Sequence, residues 1–294
     1  MALVTPLSIG LPVFNGARYL PQALAALIDQ TWSDYELIVI DNASTDKTEE
    51  VCRAFASVDK RIRYFRNTEN LGAARNYMLT LHHARGAFFK WAAHDDVCAP
   101  TFLARCIEEL ASRSDVVLCH SQSRKIDADG RVGGLYDHEV EALDELPSHR
   151  FRRMIRTPHY CIPIFGVMRT EVLRATPGHG GFVGADRNLL AELALHGKIR
   201  LIPEPLFERR QHAQTSLAMF RDERARLAWF EPKHHGRRSF PTWRRLREYG
   251  ASIRRAPLSP AERIQCLAEL GGWLAGRHHT GVYNAKLMLR ELAS

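Results

Sequence analysis

Short apolar runs alternate with segments of helical periodicity over the first 120 residues. The apolar runs cover residues 7–13, 35–40, 61–65, 87–91 and 116–119. The helical segments cover residues 19–30, 45–55, 73–84 and 101–111. The run YELIVI at 35–40 is nearly continuous, which is typical of a strand covered on both faces. Strands that alternate with helices in this way predict right-handed βαβ units. We therefore predict the α/β class, with a mainly parallel, doubly wound sheet.

The pattern changes after residue 121. We predict a turn, as part of a hairpin, at 127–130 and an exposed acidic stretch over 137–148. A strand, a helix and a second strand are predicted over 160–168, 187–196 and 199–202. From residue 216 the sequence is helical and basic, and its last two helices are predicted near 261–276 and 281–293.

The chain is long enough to bury a large core. It has 294 residues, 45% of them hydrophobic, which suits one large α/β domain or one domain with an extension. Its six cysteines are scattered without a C-x-x-C pair. That spacing favours reduced thiols in a cytoplasmic protein over a disulfide framework or a zinc site.

The net charge of +8 is concentrated at the end of the chain. Residues 1–220 hold 26 Lys and Arg against 26 Asp and Glu, whereas residues 221–294 hold 15 against 7. This asymmetry indicates an anionic partner, either membrane phospholipid or a polyanion, although a solvated basic helical face explains it equally well. The N-terminus has no basic region before its apolar run, so we expect no signal peptide. No apolar stretch approaches the roughly 20 residues of a membrane span, so if a membrane is involved, we expect the protein to lie on its surface.

Polar residues follow three of the predicted strands, at the edge where ligands bind in such sheets. The fourth strand ends in His94, Asp95 and Asp96. Adjacent carboxylates suit a divalent cation, Mn²⁺ or Mg²⁺, that bridges phosphate oxygens. The alternative is that both acids cap the next helix, but Pro100 and Thr101 form a better helix start.

The second strand ends in Asp41 and Asn42. A carboxylate at this position can accept a hydrogen bond from a base or from a ribose hydroxyl. The alternative is an Asx-turn that leads into the next helix. In NLGAARN, Gly72 allows the backbone to approach a ligand, and Arg75 can pair with a phosphate or with the acids after the fourth strand.

Four segments together resemble the family 2 glycosyltransferases of GT-A fold. They are PVFNGARYLPQALAALIDQTW, ELIVIDNASTD, NLGAARN and GAFFKWAAHDD, and they cover roughly residues 5 to 110 in the order of the family. The resemblance implies a nucleotide-sugar donor, a divalent cation, and single displacement with inversion at the anomeric carbon. It also implies that Pro12, Phe14 and Asn15 border the nucleotide and that Asp41 contacts the base.

The same resemblance assigns roles to the acids after the fourth strand. Asp96 is expected to bind the metal, and Asp95 the ribose or the metal. Many members carry an acid two positions before the first of these carboxylates, where this chain has Ala93.

Residues of the second half also match positions of the family. Asp186, at a helix start, is expected to be the general base, and Gly166 to allow close approach near the acceptor. His212 is expected to be a third metal ligand or a pyrophosphate contact. Arg209 or Arg210 is expected to neutralise the leaving diphosphate, and we favour Arg210 as the substrate-binding residue.

We divide the chain into a GT-A glycosyltransferase domain at 1–215 and a basic helical C-terminal extension at 216–294. The domain has a nucleotide-sugar-binding half at 1–120 and an acceptor half at 121–215. The expected function is transfer from a UDP-sugar to a glycan or lipid-linked acceptor in envelope polysaccharide synthesis. The expected location is cytoplasmic, peripheral at the inner face of the plasma membrane, with no nucleic acid partner. The alternatives are a non-catalytic nucleotide- or polyanion-binding protein and a metal-dependent phosphohydrolase.

Overall fold

The computed structural model describes residues 7–213, 215 and 241–277. The predicted helix at 281–293 and the basic stretch at 216–240 lie outside these residues. The structure does describe the predicted strand exits and the predicted helix start at Asp186.

Four parallel strands form the first half of the sheet, in the order β3-β2-β1-β4. They are β1 (Leu7–Val13), β2 (Tyr35–Asp41), β3 (Ile62–Arg66) and β4 (Phe88–Trp91). The helices that connect them are α1 (Leu20–Ile28), α2 (Thr48–Val58) and α3 (Ala73–His83). Every residue of β1 and β2 is buried, as the apolar runs predict. The predicted βαβ succession is confirmed.

The second half of the sheet mixes strand directions. Its strands are β5 (Val97–Cys98), β6 (Val116–Ile126), β7 (Val132–Leu135), β8 (Val167–Arg169) and β9 (Lys198–Arg210). The helices here are α4 (Phe102–Ser112), α5 (Pro147–Arg156), α6 (Thr170–Arg174) and α7 (Ala185–His196). Strand β8 runs antiparallel to β4 and β6, whereas β9 runs parallel to β6. Strand β7 folds back on β6 at the predicted turn, so the hairpin is confirmed. The predicted α/β class is also confirmed, with antiparallel pairing beyond β4.

Two local predictions are wrong. Residues 160–168 do not form one strand, because Ile162–Phe165 is a 3-10 helix and only Val167–Arg169 is extended. Cys161, with φ of 59°, turns the chain into this helix. The stretch 137–148 is not simply exposed, since Val140 and Ala142 are buried against the sheet.

Side chains that alternate along the strands supply two apolar clusters, one on each face of the sheet. In β2, Leu37 and Val39 join a cluster with α1, α2 and α4. Ile38 and Ile40 join a second cluster with α3, α5 and α7. Successive residues of a strand point to opposite faces, so one strand contributes to both cores.

Two helices after residue 240 belong to the second cluster. They are α8 (Pro241–Arg255) and α9 (Pro260–Ala275). Tyr249 and Trp273 are buried there, and the ring of Tyr249 packs edge-on against Phe151 of α5 with centroids 5.7 Å apart. The domain boundary at residue 215 stays a prediction. Among the helices of the described residues, none is both long and apolar enough to cross a membrane.

A fully buried carboxylate joins α7 to α8. Glu192 accepts hydrogen bonds from Ser252 Oγ at 2.7 Å, from Arg255 Nε at 2.9 Å and from Arg255 Nη2 at 2.7 Å. Bidentate pairing with arginine is a strong way to compensate a buried carboxylate. Arg255 of α8 therefore supplies the positive charge that compensates Glu192 of α7.

Candidate functional site

The loop after β1 is tied to the loop after β2. Asn15 has φ of 50°, its main-chain N–H donates to Ser44 Oγ at 2.9 Å, and its Oδ1 accepts from the Thr45 N–H at 2.8 Å. Pro12 is buried in β1, whereas Phe14 and Asn15 are exposed. Phe14 and Asn15 thus lie at the open end of β1, and Pro12 supports them from the strand.

Asp41 at the end of β2 is fully buried and has protein partners on both oxygens. Its Oδ1 accepts from the Ser44 N–H at 2.8 Å, and its Oδ2 accepts from Tyr64 Oη at 3.1 Å and from the guanidinium of Arg66. Arg66 also donates to the Ser44 carbonyl at 2.8 Å. These contacts order the loop that follows β2, and the contact of Asp41 with a base stays a prediction.

Asn42 connects the exit of β2 to the start of α3. Its Oδ1 accepts from the Leu71 N–H and from Asn67 Nδ2, both at 2.9 Å, and its Nδ2 donates to the Gly72 carbonyl at 3.4 Å. Gly72 has φ of 85°, a conformation that favours glycine. Arg75 is exposed on the first turn of α3. Asn42 therefore shapes the glycine loop that precedes Arg75.

The two carboxylates after β4 contact β9 and the residues that follow it. His212 Nε2 lies 2.8 Å from Asp95 Oδ2, and the Arg210 main-chain N–H donates to Asp96 Oδ1 at 2.9 Å. The His212 side chain is 5% exposed, and its ring packs on Tyr19 with centroids 4.6 Å apart. The structure thus brings the three predicted metal residues together across a sequence separation of more than 100 residues.

The two acids differ in their affinity for protons. Burial, together with the negative charge of Asp95, raises the pKa of Asp96 to about 7. Burial acts on Asp95 in the same direction, but the hydrogen bond from His212 and the charges of His94 and His212 outweigh it and hold the pKa of Asp95 below its ordinary value. With Asp95 ionised, Asp96 therefore either keeps its proton or requires a cation beside its carboxylate.

The oxygen and nitrogen atoms of Asp95, Asp96 and His212 are of the types that bind divalent cations. Carboxylate oxygens and an imidazole nitrogen are ligands that Mn²⁺ accepts, and the buried carboxylate of Asp96 requires positive charge. Within residues 7–213, 215 and 241–277, no three His, Cys, Asp or Glu side chains already form a coordination group. His212 bonds to Asp95 in this structure, so Asp95 and Asp96 would be the primary donors to a cation.

Arg210 has a different role from the one that the sequence predicts. Its side chain is 2% exposed, and its guanidinium donates to the Asp95 carbonyl at 2.8 Å, the Asp127 carbonyl at 2.9 Å and Gln22 Oε1 at 2.6 Å. Protein acceptors therefore hold the guanidinium that we expected to contact substrate. Arg210 is a positioning residue that holds the loop of Asp95 and Asp96 against β9.

Arg209, the alternative to Arg210, lies near the ring of Tyr136 and acts on Asp96 through its charge. Its guanidinium lies 5.9 Å from the ring centroid of Tyr136, and its charge lowers the pKa of Asp96. The sequence did not single out Tyr77, which lies beside the same group. Burial raises the pKa of Tyr77, the charges of both carboxylates and of Asp186 raise it further, and Arg209 opposes them. The pKa of Tyr77 thus responds to Asp95, Asp96, Asp186 and Arg209 together.

Asp186 lies in the first turn of α7, which begins after Gly184 in a left-handed conformation. Its Oδ1 accepts from the Arg187 N–H at 2.7 Å. The neighbouring Cys161 thiol has a raised pKa, first because it is buried and then because of the negative charge of Asp186. Arg187 Nη2 donates to the His159 carbonyl at 2.7 Å, which holds residues 159–161 against the helix start.

Gly166 allows a close approach, but to the protein's own backbone. A Cβ at this position would lie 2.5 Å from the Cys119 carbonyl oxygen and 3.0 Å from the Pro163 carbonyl oxygen. The contact joins the 3-10 helix to β6. The expected approach of an acceptor at Gly166 therefore has no basis in this packing, which itself requires glycine.

Lys90 is a buried cation that sequence reasoning missed. Its side chain is 0% exposed, its Nζ donates to the carbonyls of Trp91 at 3.2 Å and of Phe165, and it lies 4.6 Å from the ring centroid of Phe102. Its charge lowers the pKa of Asp96. The available signal was a single lysine inside the apolar run FFKWAA.

The chain matches glycosyl transferase family 2 over residues 8–175. An uncharacterized glycosyltransferase of Haemophilus influenzae is 30% identical over 150 residues, which is 50% of this chain and 60% of the relative. Glycosyltransferase GlyG of Streptococcus pneumoniae is 27% identical over 133 residues, which is 45% of this chain and 40% of the relative. The chain thus spans less than two thirds of these relatives.

Two solved structures share the fold. Residues 1–349 of S. aureus TarS give a TM-score of 0.64 at 17% identity, covering 92% of this chain and 71% of that one. The mannosyltransferase PcManGT of Pyrobaculum calidifontis gives 0.54 at 17% identity, covering 99% and 81%. TarS has been solved with UDP-GlcNAc, and PcManGT with GDP-Man and Mn²⁺. Since the family match covers more than half of the sequence and the solved neighbours share its architecture, the chain belongs to glycosyl transferase family 2 and has the GT-A fold.

Proposed function

We propose that the protein transfers a sugar from a UDP-sugar to a hydroxyl of a glycan or lipid-linked acceptor, with inversion, in envelope polysaccharide synthesis. The observation that carries this proposal is the pair of carboxylates at the exit of β4, the half-buried Asp95 beside His212 and the buried Asp96. The UDP-GlcNAc and GDP-Man complexes of TarS and PcManGT support a nucleotide-sugar donor. The complex of PcManGT with Mn²⁺ supports a divalent cation.

Asp95, Asp96 and His212 would hold the divalent cation. When bound, Mn²⁺ or Mg²⁺ supplies positive charge against the diphosphate that leaves. Asp96 gains a counter-charge in place of its proton, and the positive charge of Lys90 favours its ionised form from within the core. Arg210 keeps the backbone of Asp95 in position through its bond to the Asp95 carbonyl.

Arg209 and Asp186 would act on the leaving group and on the acceptor, respectively. The guanidinium of Arg209 stabilises negative charge on the diphosphate as the bond between the anomeric carbon and the phosphate oxygen breaks. The acceptor oxygen forms its bond to the anomeric carbon from the opposite face of the sugar, and its proton passes to the Asp186 carboxylate. Attack on the face opposite the leaving group inverts the anomeric centre.

We also propose that the basic C-terminal segment rests on an anionic membrane surface from the cytoplasmic side, through helix α8. Helix α8 carries five arginines against one glutamate, and Trp243 on it is 41% exposed. Arginine and an exposed indole suit the headgroup region of an anionic leaflet. Flotation with liposomes that contain or lack phosphatidylglycerol tests this placement, with a nucleic-acid shift assay as the comparison.

The central experiment is a thermal-shift screen of the full chain against UDP- and GDP-sugars with Mn²⁺. We expect a selective shift with a UDP-sugar that disappears in Asp96→Asn and persists in Asp129→Asn, a matched change at an exposed turn. Asp186→Asn is expected to keep donor binding and to lose transfer. Absence of any nucleotide-dependent shift would refute the donor, and full transfer by Asp186→Asn would refute the base.

A further inference from the structure

An exposed aromatic ring lies beside the candidate site, and two other rings hold it. Tyr160 is 49% exposed. Its ring meets Tyr136 edge-on with centroids 5.2 Å apart and lies 5.9 Å from the ring of His138. We call these three residues the aromatic platform. Tyr136 is buried, so it holds the exposed Tyr160 ring from the protein side.

The aromatic platform lies near both Asp186, the proposed base, and Arg209, the arginine proposed for the diphosphate. Tyr160 precedes Cys161, and the buried Cys161 side chain is within hydrogen-bond reach of the Asp186 carboxylate. Arg209 in turn lies over the ring of Tyr136. A molecule that rests on Tyr160 is therefore adjacent to the proposed base and to the arginine proposed for the diphosphate.

The surroundings of Tyr160 are polar. Lys125 Nζ lies 5.2 Å from the Tyr136 centroid, and Gln211 Nε2 donates to Tyr136 Oη at 3.4 Å. His138 and Asp137 are exposed next to the rings. A pyranose offers one face of C–H groups and a rim of hydroxyls, so it matches one aromatic face inside a polar rim. An acyl chain requires a continuous apolar surface instead.

We propose that Tyr160 is the stacking surface for a pyranose ring of the acceptor, so that the acceptor is a carbohydrate chain engaged through a sugar ring. This inference rests on the proposed glycosyl transfer and narrows its acceptor from two classes to one. Tyr160 is then a specificity-determining residue. Tyr136 and His138 are positioning residues that fix the orientation of its ring.

Saturation-transfer difference NMR on the full chain tests the proposal. The probes are cellotetraose, chitotetraose and mannotetraose, each measured with UDP and Mn²⁺ present. We expect saturation of ring C–H protons in at least one probe, retained in Tyr160→Phe and reduced in Tyr160→Ala by roughly tenfold in affinity. Val132→Ala, on the exposed strand β7, is the matched control and is expected to bind like the wild type.

Other results would overturn the inference. The first is saturation that is equal in the wild type and in Tyr160→Ala, and the second is no saturation of any probe. The third is that Tyr160→Ala loses binding to prenyl-phosphate micelles while its binding to oligosaccharides is unchanged. A nucleotide thermal shift on the same samples separates the two proposals. If UDP-sugars raise the melting temperature but the oligosaccharides do not bind as expected, only the acceptor inference is wrong. If no nucleotide changes the melting temperature, the proposed function itself is wrong.

Discussion

His212 Nε2 lies 2.8 Å from Asp95 Oδ2, so the imidazole and the carboxylate satisfy each other where a cation would otherwise bind. A divalent cation that approaches Asp95 and Asp96 competes for the same oxygen. The imidazole then either joins the coordination group or orients the carboxylate from behind. In either role, His212 would affect the affinity of the proposed site for the cation.

Replacement of His212 is the direct test of this relationship. We expect His212→Ala to weaken Mn²⁺ binding by roughly 10- to 100-fold, the usual effect of losing a ligand-orienting partner. His94→Ala, which removes only a nearby charge, is expected to have a smaller effect. Isothermal titration of the full chain with Mn²⁺ measures both, and equal affinities in wild type and His212→Ala would limit His212 to a structural pair.

The raised pKa of Asp96 predicts a pH-dependent response to cation. The folded-state value is about 7 against an ordinary 3.8, so the folded chain keeps a proton that the unfolded chain releases between these values. The contribution of Asp96 to stability without cation therefore falls as pH rises from 3.8 to about 7. Mn²⁺ replaces that proton, so we expect its stabilising effect to be larger at pH 8 than at pH 6. Melting temperatures at both values, with and without Mn²⁺, measure this difference, which Asp96→Asn is expected to abolish.

Arg209 and Arg210 are adjacent, yet we expect opposite results from them. Arg210→Met removes three side-chain hydrogen bonds from a buried network and is expected to cost about 3 kcal/mol of unfolding free energy. Arg209→Met is expected to change stability by about 0.5 kcal/mol or less while it lowers sugar transfer. Urea denaturation and transfer assays on both variants separate structure from chemistry. The assignment fails if Arg209→Met unfolds the protein as readily as Arg210→Met.

The pair of Glu192 and Arg255 predicts that α8 stabilises α7. Arg255→Met leaves a fully buried carboxylate uncompensated and is expected to cost about 3 kcal/mol. The matched variant Arg254→Met changes an exposed neighbour and is expected to cost about 0.5 kcal/mol or less. Since Glu192→Gln removes the buried charge, combining it with Arg255→Met is expected to recover part of the loss. Chemical denaturation measures all four chains, and equal stability of the two arginine variants would contradict the proposed coupling.

The sequence predicts β1 to β4 well because each strand is a compact apolar run between helices of clear periodicity. It fails in β9, for which we predict only residues 199–202. The observed strand continues to Arg210 through Pro203 and Pro205, where its pairing with β6 shifts register. Proline cannot donate to a sheet, so the local pattern indicated an end that the neighbouring strand tolerates as an irregularity.

At the candidate site, too, features set by neighbouring residues in the sequence could be predicted, and features set by distant residues could not. The positions of Asp41, Asp95 and Asp96 at strand exits could be predicted because apolar runs that end in acids can be recognised in the sequence. The different surroundings of Arg209 and Arg210 could not, since they depend on which way two adjacent side chains of an irregular strand point. Tyr77 and Lys90 were missed because helix and strand patterns treat them as ordinary positions within elements.

The buried pair between α7 and α8 has a consequence for how the chain is made. Arg255 follows Glu192 by 63 residues, so a ribosome delivers the carboxylate well before its cation. Until the later segment emerges, the helix that carries Asp186 has an uncompensated charge and an uncovered apolar face. The packing of α7 is therefore completed only after β1 to β4 have been synthesised, when α8 and α9 emerge and cover it.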